Sequence, residues 1–204
     1  MNRRLVRTFG LGTTIIFAIG FIGLFIYNPI TYEELNNVSL TQYNLIGMNG
    51  RLWLICVNYI TVGLLIAFFA IGLFGITKNN SIIVGGKILL LLSGLTWTSF
   101  GIIPYDNQTD LGNHLMLIRT IAVLLTGALG LLILGAEMEL ITKDKFLKYY
   151  TLAIAFLILL IGIASTFSID VTWTRTNISL TVFFLWFGIF GLRLVQKASA
   201  QQCV

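Results

Sequence analysis

Asp106, Asp110 and His114 are the residues whose types and spacing come nearest to catalytic or ligand chemistry. His114 follows Asp110 by four residues, so a helix beginning before Asp110 places both on one face. Together with Asp106 they make a donor set for one divalent cation. A Ser/His/Asp arrangement would need Ser99 beside His114, and no nucleophile-elbow motif surrounds that serine. A lone histidine and two distant cysteines, Cys56 and Cys203, leave no Cys/His metal site and no plausible disulfide. No metal or other cofactor is expected, and catalysis ranks behind binding.

Three arginines accompany this cluster: Arg51, Arg119 and Arg175. Arg119 lies roughly 7–8 Å along a helix from His114 at 1.5 Å per residue. An arginine at that depth in lipid costs a few kcal/mol unless it is paired, hydrated or snorkelling. Its acidic partners would be Asp106, Asp110 or Asp170. Two readings follow. In one, aromatic residues form an interfacial belt and ion pairs neutralise the arginines. In the other, Arg51, Arg119 and Arg175 line an outward pocket for an anionic group such as a lipid phosphate or carboxylate, oriented by Asp106, Asp110, His114 and Asp170.

The elements that position these residues are set by composition. The chain has 204 residues, 57% hydrophobic and only 10% charged, with a mean hydropathy of +0.91. A soluble domain carries about a quarter charged residues, so lipid is the solvent for most of this surface. Spanning about 30 Å of hydrocarbon takes about 20 apolar residues. Six such runs occur, at about 8–27, 51–76, 86–104, 114–136, 149–168 and 176–195. Lipid forbids unsatisfied backbone, and continuous apolarity without alternation excludes a barrel. The expected fold is an all-α polytopic bundle of six transmembrane helices in one domain. The first run reads as a retained span, since its apolar part is long for a signal peptide and lacks a small-x-small cleavage site. Segment 28–50 is too apolar for a free linker and reads as a lid or interfacial segment.

Orientation follows the positive-inside rule. With the N-terminus inside, ten of the thirteen basic residues fall on the inner side, leaving Arg51, Arg119 and Arg175 outside. Glu33, Glu34, Asp106, Asp110 and Asp170 share the outer side. Both termini are therefore expected in the cytoplasm, with the chain multi-pass in the cell membrane. The net charge of +5 is dispersed and makes no face for nucleic acid. Small residues recur at helix-packing spacing: Gly63 and Ala67; Gly94, Thr98 and Gly101; Gly127 and Gly130; Gly188 and Gly191. These suit packing within the bundle or, less simply, contact with a second copy or a partner membrane protein.

No Asp, Glu, Lys or His lies near the centre of a span, which disfavours ion-coupled transport. Asn58, Ser93, Thr96, Thr98, Thr126 and Ser165 are the intramembrane polar groups, and most can bond their own helix backbone.

The stretch Gly101-Ile-Ile-Pro104-Tyr-Asp106, followed by His114 and later by Arg175, Trp186 and Arg193-Leu194, resembles the small six-span prokaryotic membrane proteins grouped as domain of unknown function 998. The resemblance implies the six-span fold and marks Pro104, Asp106 and His114; it implies no activity. The function expected from the residues is binding of an anionic lipid headgroup or small anion at the outer face. The alternatives are a scaffold packed on partner helices and an intramembrane hydrolase-like enzyme using Asp106 and His114.

Overall fold

Each apolar run becomes a helix because a backbone away from water must satisfy its own N–H and C=O groups. The computed structural model describes residues 3–27, 50–75, 80–103, 110–141, 144–167 and 173–200, and among these there is no strand. The helices are α1 (Arg3–Tyr27), α2 (Arg51–Phe74), α3 (Ser81–Ile102), α4 (Asp110–Ala136), the short α5 (Met138–Ile141), α6 (Lys145–Phe167) and α7 (Trp173–Ala200). Four segments are long and apolar enough to cross a membrane: Arg4–Gly23, Arg51–Phe74, Ser81–Ile102 and Ile118–Ala136; Ile178–Arg193 is a shorter apolar helix. The expected segment 28–50 lies outside the described residues save for Gly50.

Local chemistry sets several helix ends. The Asn80 side chain accepts from the Ile82 N–H and starts α3. The Asp144 carboxylate accepts from the Phe146 and Leu147 N–H groups and starts α6. Gly50, at φ 72°, turns the chain into α2 through the left-handed region that glycine tolerates.

The six long helices pack in a ring in chain order, each on its predecessor, and α7 closes the ring against α1. Neighbours run antiparallel: Gly188 and Gly191 of α7 meet Thr14 and Arg7 of α1, while Gly86 of α3 meets Ile133 and Leu134 of α4. The middle of the ring is filled from α7. Phe184 stacks on Phe17 of α1 and meets Trp97 of α3 edge-on. Trp186, Phe187 and Phe190 surround Phe69 of α2, and the Trp186 Nε1–H donates to the Thr151 hydroxyl of α6 at 2.8 Å. Phe183 lies against Gly127 of α4. All five aromatic residues of α7 named here are at most 1% exposed.

The small-residue stripes are taken up inside this bundle. A Cβ on Gly63 would lie 2.7 Å from the Gly94 carbonyl oxygen, and one on Gly94 would lie 2.8 Å from the Ala67 nitrogen. Backbones therefore touch where α2 crosses α3, as small-xxx-small packing requires. Gly130 packs on Gly86 and Leu90. The outward faces carry large apolar side chains instead. Ile15, Ile19 and Ile22 project from α1, Ile88, Leu92 and Leu95 from α3, Ile118, Ile121 and Leu125 from α4, and Ile178, Leu185 and Leu192 from α7. A water-facing surface does not carry apolar stripes on one long helix after another.

Candidate functional site

The antiparallel ring gathers one set of helix ends: the last turns of α1 and α3 and the first turns of α2 and α4. Arg51 and Arg119 stand at this end, Asp110 and His114 occupy the first turns of α4, and Arg175 occupies the first turn of α7. The side chains of Asp110, His114 and Arg175, and all of Asp106 and Asp170, lie outside the described residues. Of the expected site, Arg51 and Arg119 are the residues whose surroundings are defined.

Arg119 is engaged with protein. Its Nη1 donates to the Ile103 carbonyl at 3.1 Å, and the guanidinium lies over the Phe100 ring, 5.9 Å from its centroid. Ile103 is the C-cap of α3, where carbonyls lack intrahelical donors and the helix dipole is negative. A cation supplied from α4 satisfies that end and ties α4 to α3. The expectation of an acidic partner or bound anion missed this role because a C-cap carbonyl carries no signal in residue type.

Arg51 differs. It opens α2 directly after Gly50, an N-cap with no side chain to accept from that N-terminus, and the buried Arg51 Nε has no hydrogen-bond partner. A buried N–H without an acceptor costs roughly 1–3 kcal/mol, more on a charged group. The nearby helix N-terminus adds partial positive charge. An oxygen-rich anion at this point would answer both.

Below Arg51 the second helix is not an ordinary α-helix. Residues Leu54–Thr61 form a π-helix. Its origin is legible in the burial pattern: Leu54, Asn58, Val62, Ile66 and Ala70 are all buried, a repeat of four. At 3.6 residues per turn that stripe would rotate about 40° at every step. Wider turns restore the phase and keep the stripe against the bundle. The side chain of Thr61 reaches the carbonyl five residues back, on Cys56, at 2.6 Å. Inside the widened segment, the Trp97 indole of α3 donates to the Asn58 carbonyl at 3.0 Å.

Asn58 is the exception among the intramembrane polar groups, most of which were expected to bond their own helix backbone. Thr98 and Thr126 do bond carbonyls of their own helices, and Ser93 donates across to the Val123 carbonyl of α4. The Asn58 side chain bonds nothing: it is 0% exposed, and both Oδ1 and Nδ2 are buried without a hydrogen-bond partner. It faces Gly20 of α1, where a Cβ would lie 3.2 Å from Nδ2.

At the opposite end, Lys87 is fully buried, with Nζ 4.7 Å from the centroid of the Phe74 ring. It is counted on the inner side, at the start of the 86–104 run, and its side chain sits within the packed bundle. Among the described residues no three His, Cys, Asp or Glu side chains come together as a metal site; Asp106 is not among them. Neither a family model, nor a curated protein, nor a solved structure matches the chain.

Proposed function

We propose that this chain is a six-span protein of the cell membrane, with both termini in the cytoplasm, whose outer end binds the anionic headgroup of a lipid. Four sufficiently long apolar helices and outward apolar stripes support the membrane assignment. The other two long helices, α6 and α7, complete the same ring, and basic residues concentrate at the end assigned to the cytoplasm. The likeness to the domain of unknown function 998 proteins contributes only the expectation of six spans.

One observation carries the functional reading: the buried Nε of Arg51 has no acceptor beside a helix N-terminus whose N-cap is a glycine. Phosphate or carboxylate oxygens accept from both guanidinium and backbone N–H groups. Arg51 is thus the principal ligand, Arg175 assists from the first turn of α7, and Arg119 shapes the rim by holding α3 to α4. Asp106, Asp110, His114 and Asp170, which the sequence assigns to the outer side, would orient the arginines.

Native mass spectrometry of the protein released from bilayers of mixed phosphatidylglycerol and phosphatidylcholine tests this. Wild type should retain phosphatidylglycerol preferentially, Arg51→Ala should lose that preference at least tenfold, and Arg119→Ala should keep most of it. Equal retention by wild type and Arg51→Ala would refute the proposal. Retention of inorganic phosphate in place of lipid would reassign the ligand to a small anion.

A further inference from the structure

We propose that Asn58 anchors a second, buried site between α1, α2 and α3 that binds a neutral hydroxyl group. It is independent of the anion reading, because Arg51 takes no part in it.

Three observations converge. The Asn58 amide is fully buried, with neither its donor nor its acceptor used. Residues of this kind are rare in native proteins, and a bound water or ligand is one of the few arrangements that satisfies them. The residue lies in a π-helical segment, a geometry that recurs at functional sites because a wide turn moves one side chain out of the ordinary register. Finally, Asn58 is held in place: Trp97 donates to its carbonyl, and its side chain packs on the backbone of Gly20, where an added Cβ would lie 3.2 Å from Nδ2.

The chemistry of the amide selects the ligand. A metal cation would coordinate Oδ1 and leave the Nδ2 donors unanswered. A carboxylate would answer Nδ2 and confront Oδ1 with like partial charge. A hydroxyl donates to Oδ1 and accepts from Nδ2, satisfying both ends without bringing charge into the bundle. That O–H group has two sources, an ordered water or the alcohol of a small amphiphile. With Asn58 at 0% exposure, either one is enclosed, so it should survive purification.

A high-resolution structure of the purified full chain, with thermal unfolding of two variants, tests the site. Density for an oxygen within hydrogen-bond distance of both Asn58 amide atoms is expected. A compact peak identifies water; a continuous elongated one identifies an amphiphile's alcohol. Asn58→Leu should lower the melting temperature by about 3 °C or more. Gly20→Ala, whose methyl would cover the Nδ2 side of the amide, should lower it as well. An amide with no density beside it overturns the proposal, as does a metal ion coordinated to Oδ1. So does an Asn58→Leu melting temperature equal to or above wild type, the result expected if an unsatisfied amide were simply removed. If either variant fails to fold, the wild-type density decides alone.

Discussion

At the scale of single residues, two arginines of one sequence class have different surroundings. Arg119 caps α3 through the Ile103 carbonyl and lies over Phe100, whereas the Arg51 Nε has no acceptor. Replacing Arg119 by alanine should therefore destabilise the fold by about 1 kcal/mol, from a lost cap and a lost cation–π contact. Thermal unfolding in detergent reads this, and an unchanged melting temperature would remove the capping role. Trp186→Phe should cost about 1–2 kcal/mol, because it strands the buried Thr151 hydroxyl that now accepts from the indole. The same measurement checks it, with Trp186→Phe/Thr151→Val expected to recover part of the loss. Residue type alone announced the arginines as anomalies but could not say which one had an acceptor. That depends on where a helix-end carbonyl falls in space.

At the scale of elements, packing by small residues was readable from the chain, while the π-segment was hidden. Gly63 and Gly94 stood out as small residues in apolar runs, and they are where α2 and α3 touch. Gly63→Leu should then cost 3 kcal/mol or roughly more by overpacking, enough to abolish a folded product. Gly85 has nothing within 4 Å of its would-be Cβ, so Gly85→Ala should be neutral or stabilise by about 0.5–1 kcal/mol. Comparing the yields and melting temperatures of the two variants separates packing from helix propensity. The π-segment left one trace in the sequence, Leu54, Asn58, Val62, Ile66 and Ala70 at intervals of four. A run so apolar offers no contrast to reveal which side faces inward, and only the burial pattern makes the interval visible. The burial of Lys87 beneath Phe74 was not legible, because its place at the inner start of the 86–104 run does not say which neighbour covers it.

At the scale of the whole molecule, the helices follow the apolar runs to within a few residues at most ends, because length and hydropathy decide them. Their arrangement in a ring was not legible, for it depends on which side chains fit the centre. The proposed orientation makes a direct prediction. On a background of Cys56→Ser and Cys203→Ser, single cysteines replacing Lys78 or Lys143 should resist a membrane-impermeant maleimide in intact cells. Cysteines replacing Glu33 or Asn107 should react. The reverse pattern would invert the topology, and uniform reactivity would rule out a fixed one.

The closure of the ring by α7 also sets an order of events during synthesis. Phe183, Phe184, Trp186, Phe187 and Phe190 supply much of the filling at the centre, and they arrive last. Until they do, Phe17, Phe69 and Trp97 lack the aromatic partners that α7 brings. A nascent chain halted before α7 is therefore an open cradle of aromatic surface. Such an intermediate invites a chaperone, a stray helix or the quality-control protease, and α7 supplied as a separate fragment should rescue it.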